Sequence, residues 1–170
     1  MSIYSISNWS AGTYNIWDIV RHPSNTNTFY YSLTDGNTDT PSTSSSLWGG
    51  VSSFNGITKP KFVWRTNYAP LTQHEPSTLS VAFADGYEQR ITQNINVDLL
   101  KINTQFDLRT EKETAAIIHF LFARGGRDSF LFTPSPPHDL QKLFICRKWN
   151  DNYLFYNNHS ISCLFEEVAS

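Results

Sequence analysis

The chain has 170 residues, 13 Lys and Arg against 15 Asp and Glu, and a formal net charge of -2. No run of basic residues is present to collect phosphates or an anionic lipid surface, so neither nucleic acid nor membrane is an expected partner. The first nine residues lack a basic stretch followed by an apolar one, and no window of about 18 apolar residues occurs, so synthesis and folding in the cytoplasm are expected.

Composition divides the chain. Up to Thr58 the only charged side chains are Asp18, Arg21, Asp35 and Asp39, among many Ser, Thr, Asn and aromatic residues, whereas both signs of charge are dense after Lys59. The shift predicts a small module over residues 1–58 and a larger domain over 59–170, with the boundary between Phe54 and Lys59.

In the first part, residues 16–20 and 28–33 are β-rich runs separated by the turn-forming stretch from Pro23 to Asn27. Asp35-Gly36-Asn37 ends the second run, residues 38–46 are too polar for a core strand, and Leu47-Trp48 anchors the chain before Gly49-Gly50. After Pro60 come Phe62-Val63-Trp64 and an irregular stretch holding Pro70 and Pro76. Alternation puts Leu79, Val81 and Phe83 on one face, and Asp85-Gly86 offers a tight reversal into a second strand over 87–91. Residues 99–108 alternate Leu100, Ile102, Thr104, Phe106 and Leu108 against Lys101, Asn103, Gln105 and Asp107, a strand with one polar face.

One helix is predicted over 111–124. Thr110 and Glu113 have capping-box spacing, and Gly125-Gly126 supplies a left-handed stop. Thr114, Ile117, Ile118, Leu121 and Phe122 form the apolar stripe, leaving His119 and Arg124 partly exposed at its flanks. Strands return at 129–132, followed by a loop stiffened by Pro134, Pro136 and Pro137. Residues 143–149, a polar break at 150–152, 154–156, a turn at Asn157-Asn158 and residues 160–168 complete an antiparallel set. The fold class is therefore mainly β (α+β): an antiparallel sandwich or barrel-like C-terminal domain with one helix, preceded by a small all-β module.

Chemistry is sparse. The five histidines, at 22, 74, 119, 138 and 159, lack the spacing that puts metal ligands on one surface, and no nucleophile elbow or phosphate-cradling glycine loop occurs. Glu166 and Glu167 are adjacent, so on a strand they point to opposite faces and do not form an acid and base pair. Cys146 and Cys163 read as small buried hydrophobes with free thiols. No catalytic residue, metal or cofactor is assigned, and the chain is not expected to be an enzyme.

Five segments carry a resemblance: Phe62-Val-Trp64, Val81-Ala-Phe-Ala-Asp-Gly-Tyr-Glu-Gln-Arg90, Arg124-Gly-Gly126 with Ser129-Phe-Leu-Phe-Thr-Pro134, Cys146-Arg-Lys-Trp149, and Leu164-Phe-Glu-Glu-Val168. In order and spacing they resemble the M-type minor tail proteins of lambda-like bacteriophages, from about residue 60 to the C-terminus. The resemblance implies a non-enzymatic virion protein, assembled in the host bacterial cytoplasm. It would form a homo-oligomeric ring, six-fold as in siphophage tubes, between the tail tube and the distal tail-tip proteins, and contact the tape-measure protein. Ring closure needs heterologous contacts, and Glu88 and Arg90 are the candidate residues to pair across a subunit boundary.

Residues 1–58 lie outside that resemblance. Trp9, Gly12-Thr-Tyr14-Asn15, Asp18-Ile-Val20, Phe29-Tyr30-Tyr31, Asp35-Gly-Asn37, Pro41 and Trp48 are similar in order to small chitin-binding modules, although Trp17 stands where those modules carry glycine. That likeness implies stacking of Trp17, Tyr30, Tyr31 and Trp48 on a host-surface polysaccharide, the alternative function being an auxiliary adhesin. In a domain this small most such rings are needed for the core, and core is the favoured role for Trp9 and Trp48.

Overall fold

The computed structural model describes residues 6–24, 28–41, 46–50, 59–67, 70–83, 86–92 and 98–169. The compositional boundary before Lys59, the middle of the 38–46 stretch and Asp85 of the expected reversal lie outside the described residues.

Three short strands come first: β1 (Ile19–Arg21), β2 (Phe29–Ser32) and β3 (Trp48–Gly50) form an antiparallel sheet with β2 at its centre. The second sheet contains β4 (Leu71–Gln73), β7 (Lys101–Arg109), β8 (Phe130–Phe132), β9 (Lys142–Phe155) and β10 (Asn158–Glu167), in the order β4-β7-β10-β9-β8. Its curled, antiparallel course makes a half-barrel. Among the described residues, strands β5 (Thr78–Ala82) and β6 (Glu88–Thr92) pair only with each other. The fold is therefore mainly β with one helix, α1 (Glu111–Arg124).

Helix α1 starts and stops where its caps dictate. Thr110, in an extended conformation, accepts the Glu113 backbone N–H through its side chain, and Gly125 at φ 57° lies in the left-handed region that ends a helix. The buried face is wider than the sequence stripe. Thr114, Ala115, Ala116, Ile117, His119, Phe120, Leu121 and Arg124 are all buried, while Phe122 is exposed. The expected exposure of His119 and Arg124 is corrected for a physical reason: the stripe assumes one covered face, whereas this helix packs on β10 and also beneath the N-terminal sheet.

Strand β7 alternates as expected through Ile102, Thr104 and Phe106, which are buried. Leu108 departs from the pattern. Between the pairs His159↔Arg109 and Ile161↔Phe106 the register slips, so Asp107 and Leu108 together face Ser160, and Leu108 takes φ 58° and turns outward. The polar break expected at 150–152 is also absent. Strand β9 runs unbroken through Asn150-Asp151-Asn152 because β10 supplies ladder partners along that stretch, and the reversal comes at Tyr156-Asn157.

An aromatic-rich core joins the larger sheet, the helix and part of the N-terminal sheet, and a second, smaller cluster holds Val20, Tyr30 and Trp48. The Phe62 ring sits 5.2 to 5.9 Å, centroid to centroid, from Phe106, Phe120, Phe130, Phe132 and Phe165. Ile19 and Tyr31 of the N-terminal sheet belong to the same buried cluster. Cys146 and Cys163 are free and buried, and the hydrogen bond with Cys146, followed by burial, holds the Cys163 thiol above its usual range.

Candidate assembly surfaces

The junction between the N-terminal sheet and the helix is a specific contact. The Tyr31 hydroxyl lies 2.6 Å from His119 Nδ1 in a buried hydrogen bond, the Phe29 and His119 rings meet edge to face at 4.7 Å, and the Lys112 ammonium reaches Asp18 at 2.6 Å. Burial and then the nearby Arg21 charge lower the His119 pKa to about 4, and burial pushes the Tyr31 phenol up, so both side chains are neutral at ordinary pH.

This junction decides the fate of the expected sugar-stacking aromatics. Tyr30, Tyr31 and Trp48 are buried, and Trp48 donates its indole N–H to the Asp39 carbonyl at 3.0 Å. Trp17 is half-buried and packs on Trp64 at 5.2 Å. Stacking on a pyranose needs an exposed ring face, so the assignment of Tyr30, Tyr31 and Trp48 to sugar binding is corrected, and for Trp48 the core role is the one that holds. These three are core, and Trp17 bridges the two parts of the chain. Trp17 holds φ 66°, the left-handed conformation that favours glycine. Its backbone N–H donates to Ser32 O at 2.9 Å and its ring fills the junction, which together keep a bulky residue in that conformation.

Far from this junction, the β5–β6 hairpin carries Glu88 and Arg90. Every residue of both strands is exposed. The register places Leu79 opposite Ile91 and Val81 opposite Gln89, so those apolar side chains share one face, continued by Phe83 and Tyr87 with rings 6.0 Å apart. The other face holds Ser80, Glu88 and Arg90. Arg90 donates to Glu88 at 2.8 Å and the Ser80 hydroxyl donates to the same carboxylate, and these bonds, Arg90's first, hold the Glu88 pKa below its usual value. Within one chain, then, the two candidate contact residues pair with each other. An exposed pair of this kind contributes little to folding and re-pairs at small cost.

Alternation made the apolar hairpin face legible in the sequence, but its isolation from the core was not. The distal end of β9 likewise exposes Tyr153, Leu154 and Phe155, next to Tyr156 in the reversal. A groove of about 1180 Å³, bordered by Lys61, Trp64, Arg65, Asp107, Arg109 and Pro136, exceeds the usual size of a small-molecule pocket. Among the described residues no three of His, Cys, Asp and Glu converge as metal ligands do.

Comparison with known proteins places these surfaces in context. The family described as "Phage minor tail protein" matches residues 60–169. Tail tip protein M of Escherichia phage lambda is 31% identical over 110 residues, covering 64% of this chain and 97% of that protein. A chain from the tail of an empty GTA particle, solved by helical refinement in C6 symmetry, overlaps 77% of this chain and 89% of its own length, at 11% identity and a TM-score of 0.46. A likeness that remote supports no transfer of function. The isolated hairpin and both ends of β9 lie inside the family-matched stretch, whereas the N-terminal sheet lies before it.

Proposed function

Because the chain belongs to the phage minor tail protein family and has a structural role in a bacteriophage tail, we propose that it forms a homo-oligomeric ring at the tail tip, joining the tail tube to the distal tip proteins. The observation that carries this reading is the β5–β6 hairpin, an exposed apolar element tied to no core of its own within the family-matched stretch. Soluble chains rarely leave such a surface bare unless something covers it. Glu88 and Arg90 lie on the opposite face of the same hairpin, and one or the other is the proposed cross-subunit contact. A bidentate Arg-carboxylate contact there would fix subunit register more than it adds affinity.

The proposed neighbours are the tube protein, the tape-measure protein and the distal tip proteins, with assembly in the host bacterial cytoplasm. The role is structural, without catalysis. We propose that the N-terminal sheet is a fixed accessory of this ring, since its aromatic residues fill the junction with α1. Of the four aromatic residues expected to stack, Trp17 alone keeps a half-exposed ring on which the adhesin alternative can rest. Glycan-array binding by the intact chain, lost in Trp17→Ala, would restore it.

Labelling of purified tails with gold-tagged antibody tests the placement. The reading predicts one cluster of label at the tip, and label along the tube or none on the virion contradicts it. Particles lacking the chain are expected to carry tubes without attached distal tip proteins.

A further inference from the structure

A ring closed by rotation needs two different patches on each chain, because a heterologous contact joins unlike surfaces. The first patch is the β5–β6 hairpin, apolar on one face and exposed along both strands. The second is the distal half of β9. Strand β8 covers only Lys142 to Phe144 of its outer edge, and the helix stop at Gly126 approaches Arg147 so closely that an added Cβ would sit 3.3 Å from its Cα. From Lys148 to Phe155, no strand among the described residues lies on that side, while β10 pairs along the opposite edge with one register slip, at Leu154. This stretch is thus an open strand edge carrying Tyr153, Leu154 and Phe155, the feature that accepts an added strand.

Resting on the ring reading, we infer that the β5–β6 hairpin of one copy docks along residues 148–155 of β9 in the next copy and extends its five-stranded sheet. The lengths agree: a five-residue strand spans about 17 Å and the eight-residue edge about 26 Å. The chemistry agrees too. The hairpin carries Leu79, Val81 and Ile91 on one face and the exposed Arg90 on the other, and the edge carries exposed Tyr153, Leu154 and Phe155 together with the exposed carboxylate of Asp151. Donor hairpin and acceptor edge occur on the same chain, so the occupant is a second copy of it.

Double substitution Val81→Cys with Leu154→Cys, in assembled tails treated with a mild thiol oxidant, reads the contact directly. Both native cysteines are buried and do not compete. The expected result is loss of the monomer band into a ladder of covalent multimers, absent from either single variant. Amide hydrogen exchange of the unsubstituted chain, in tails against the free chain, covers the case in which the double variant does not assemble. Residues 88–92 and 148–155 are expected to slow together on assembly. A missing ladder in tails that still show the ring, or slowing of the hairpin without the β9 edge, overturns the inference and leaves the ring standing. Tails with no ring of this chain overturn the ring reading itself.

Discussion

Two of the residues that link the parts of this chain each make a prediction. His119 is neutral in the fold down to about pH 4, because burial and then Arg21 disfavour its charged form, whereas in an unfolded chain it binds a proton near 6.5. Between those values the unfolded state binds more protons, so stability falls as pH falls through this window and is insensitive to His119 above it. The full effect is on the order of 3 kcal/mol. Urea midpoints are expected to drop between pH 7 and pH 4.5 in the parent chain, and His119→Gln is expected to flatten that dependence. An unchanged slope in the variant contradicts the assignment. Trp17 holds left-handed backbone by virtue of its packing on Trp64. Removing the ring by Trp17→Ala keeps a Cβ in that conformation, while Trp17→Gly removes both ring and strain. The glycine variant is therefore expected to unfold at the higher denaturant concentration of the two, by about 1 kcal/mol, and the reverse order in a denaturant titration contradicts the strain argument.

At the scale of elements, the hairpin stands apart from the rest. Arg90→Ala touches an exposed side chain, so its effect on the stability of the free chain is expected to be small, within about 0.5 kcal/mol. The same variant is expected to impair tail assembly, measured as the yield of infectious particles in a complementation assay. Normal assembly contradicts a role for Arg90 between subunits. Local signals made much of the fold legible: the helix ends follow from Thr110 and Gly125, and the paired strands around Gly86 follow from alternation. What was not legible depended on what lies on the far side of an element. A helical stripe does not reveal a second sheet over His119, a two-residue alternation does not foresee the bulge that turns Leu108 out, and Asn150-Asp151-Asn152 reads as a loop until β10 pairs with it. For the same reason, the likeness to chitin-binding modules implied sugar stacking by Tyr30 and Tyr31, which are core.

At the scale of the molecule, Ile19 and Tyr31 share one buried cluster with Phe62, Phe106 and Phe165, so hydrophobic contact is continuous across the compositional boundary. Unfolding is therefore expected in one cooperative step, with tryptophan fluorescence and far-ultraviolet circular dichroism giving the same midpoint. Two separated transitions would show instead that residues 1–58 and 59–170 fold as independent domains. The continuity also explains how a sheet outside the family-matched region is carried on a tail protein: it is bonded to the helix through Tyr31 and His119 instead of being tethered by a linker alone. Cryo-electron microscopy of the intact tail tests the central claim most directly. The account predicts a closed ring of this chain between the tube and the distal tip proteins, with the β5–β6 hairpin buried between neighbouring copies. A single copy at the tip, or a ring whose hairpins stand free in solvent, would contradict it.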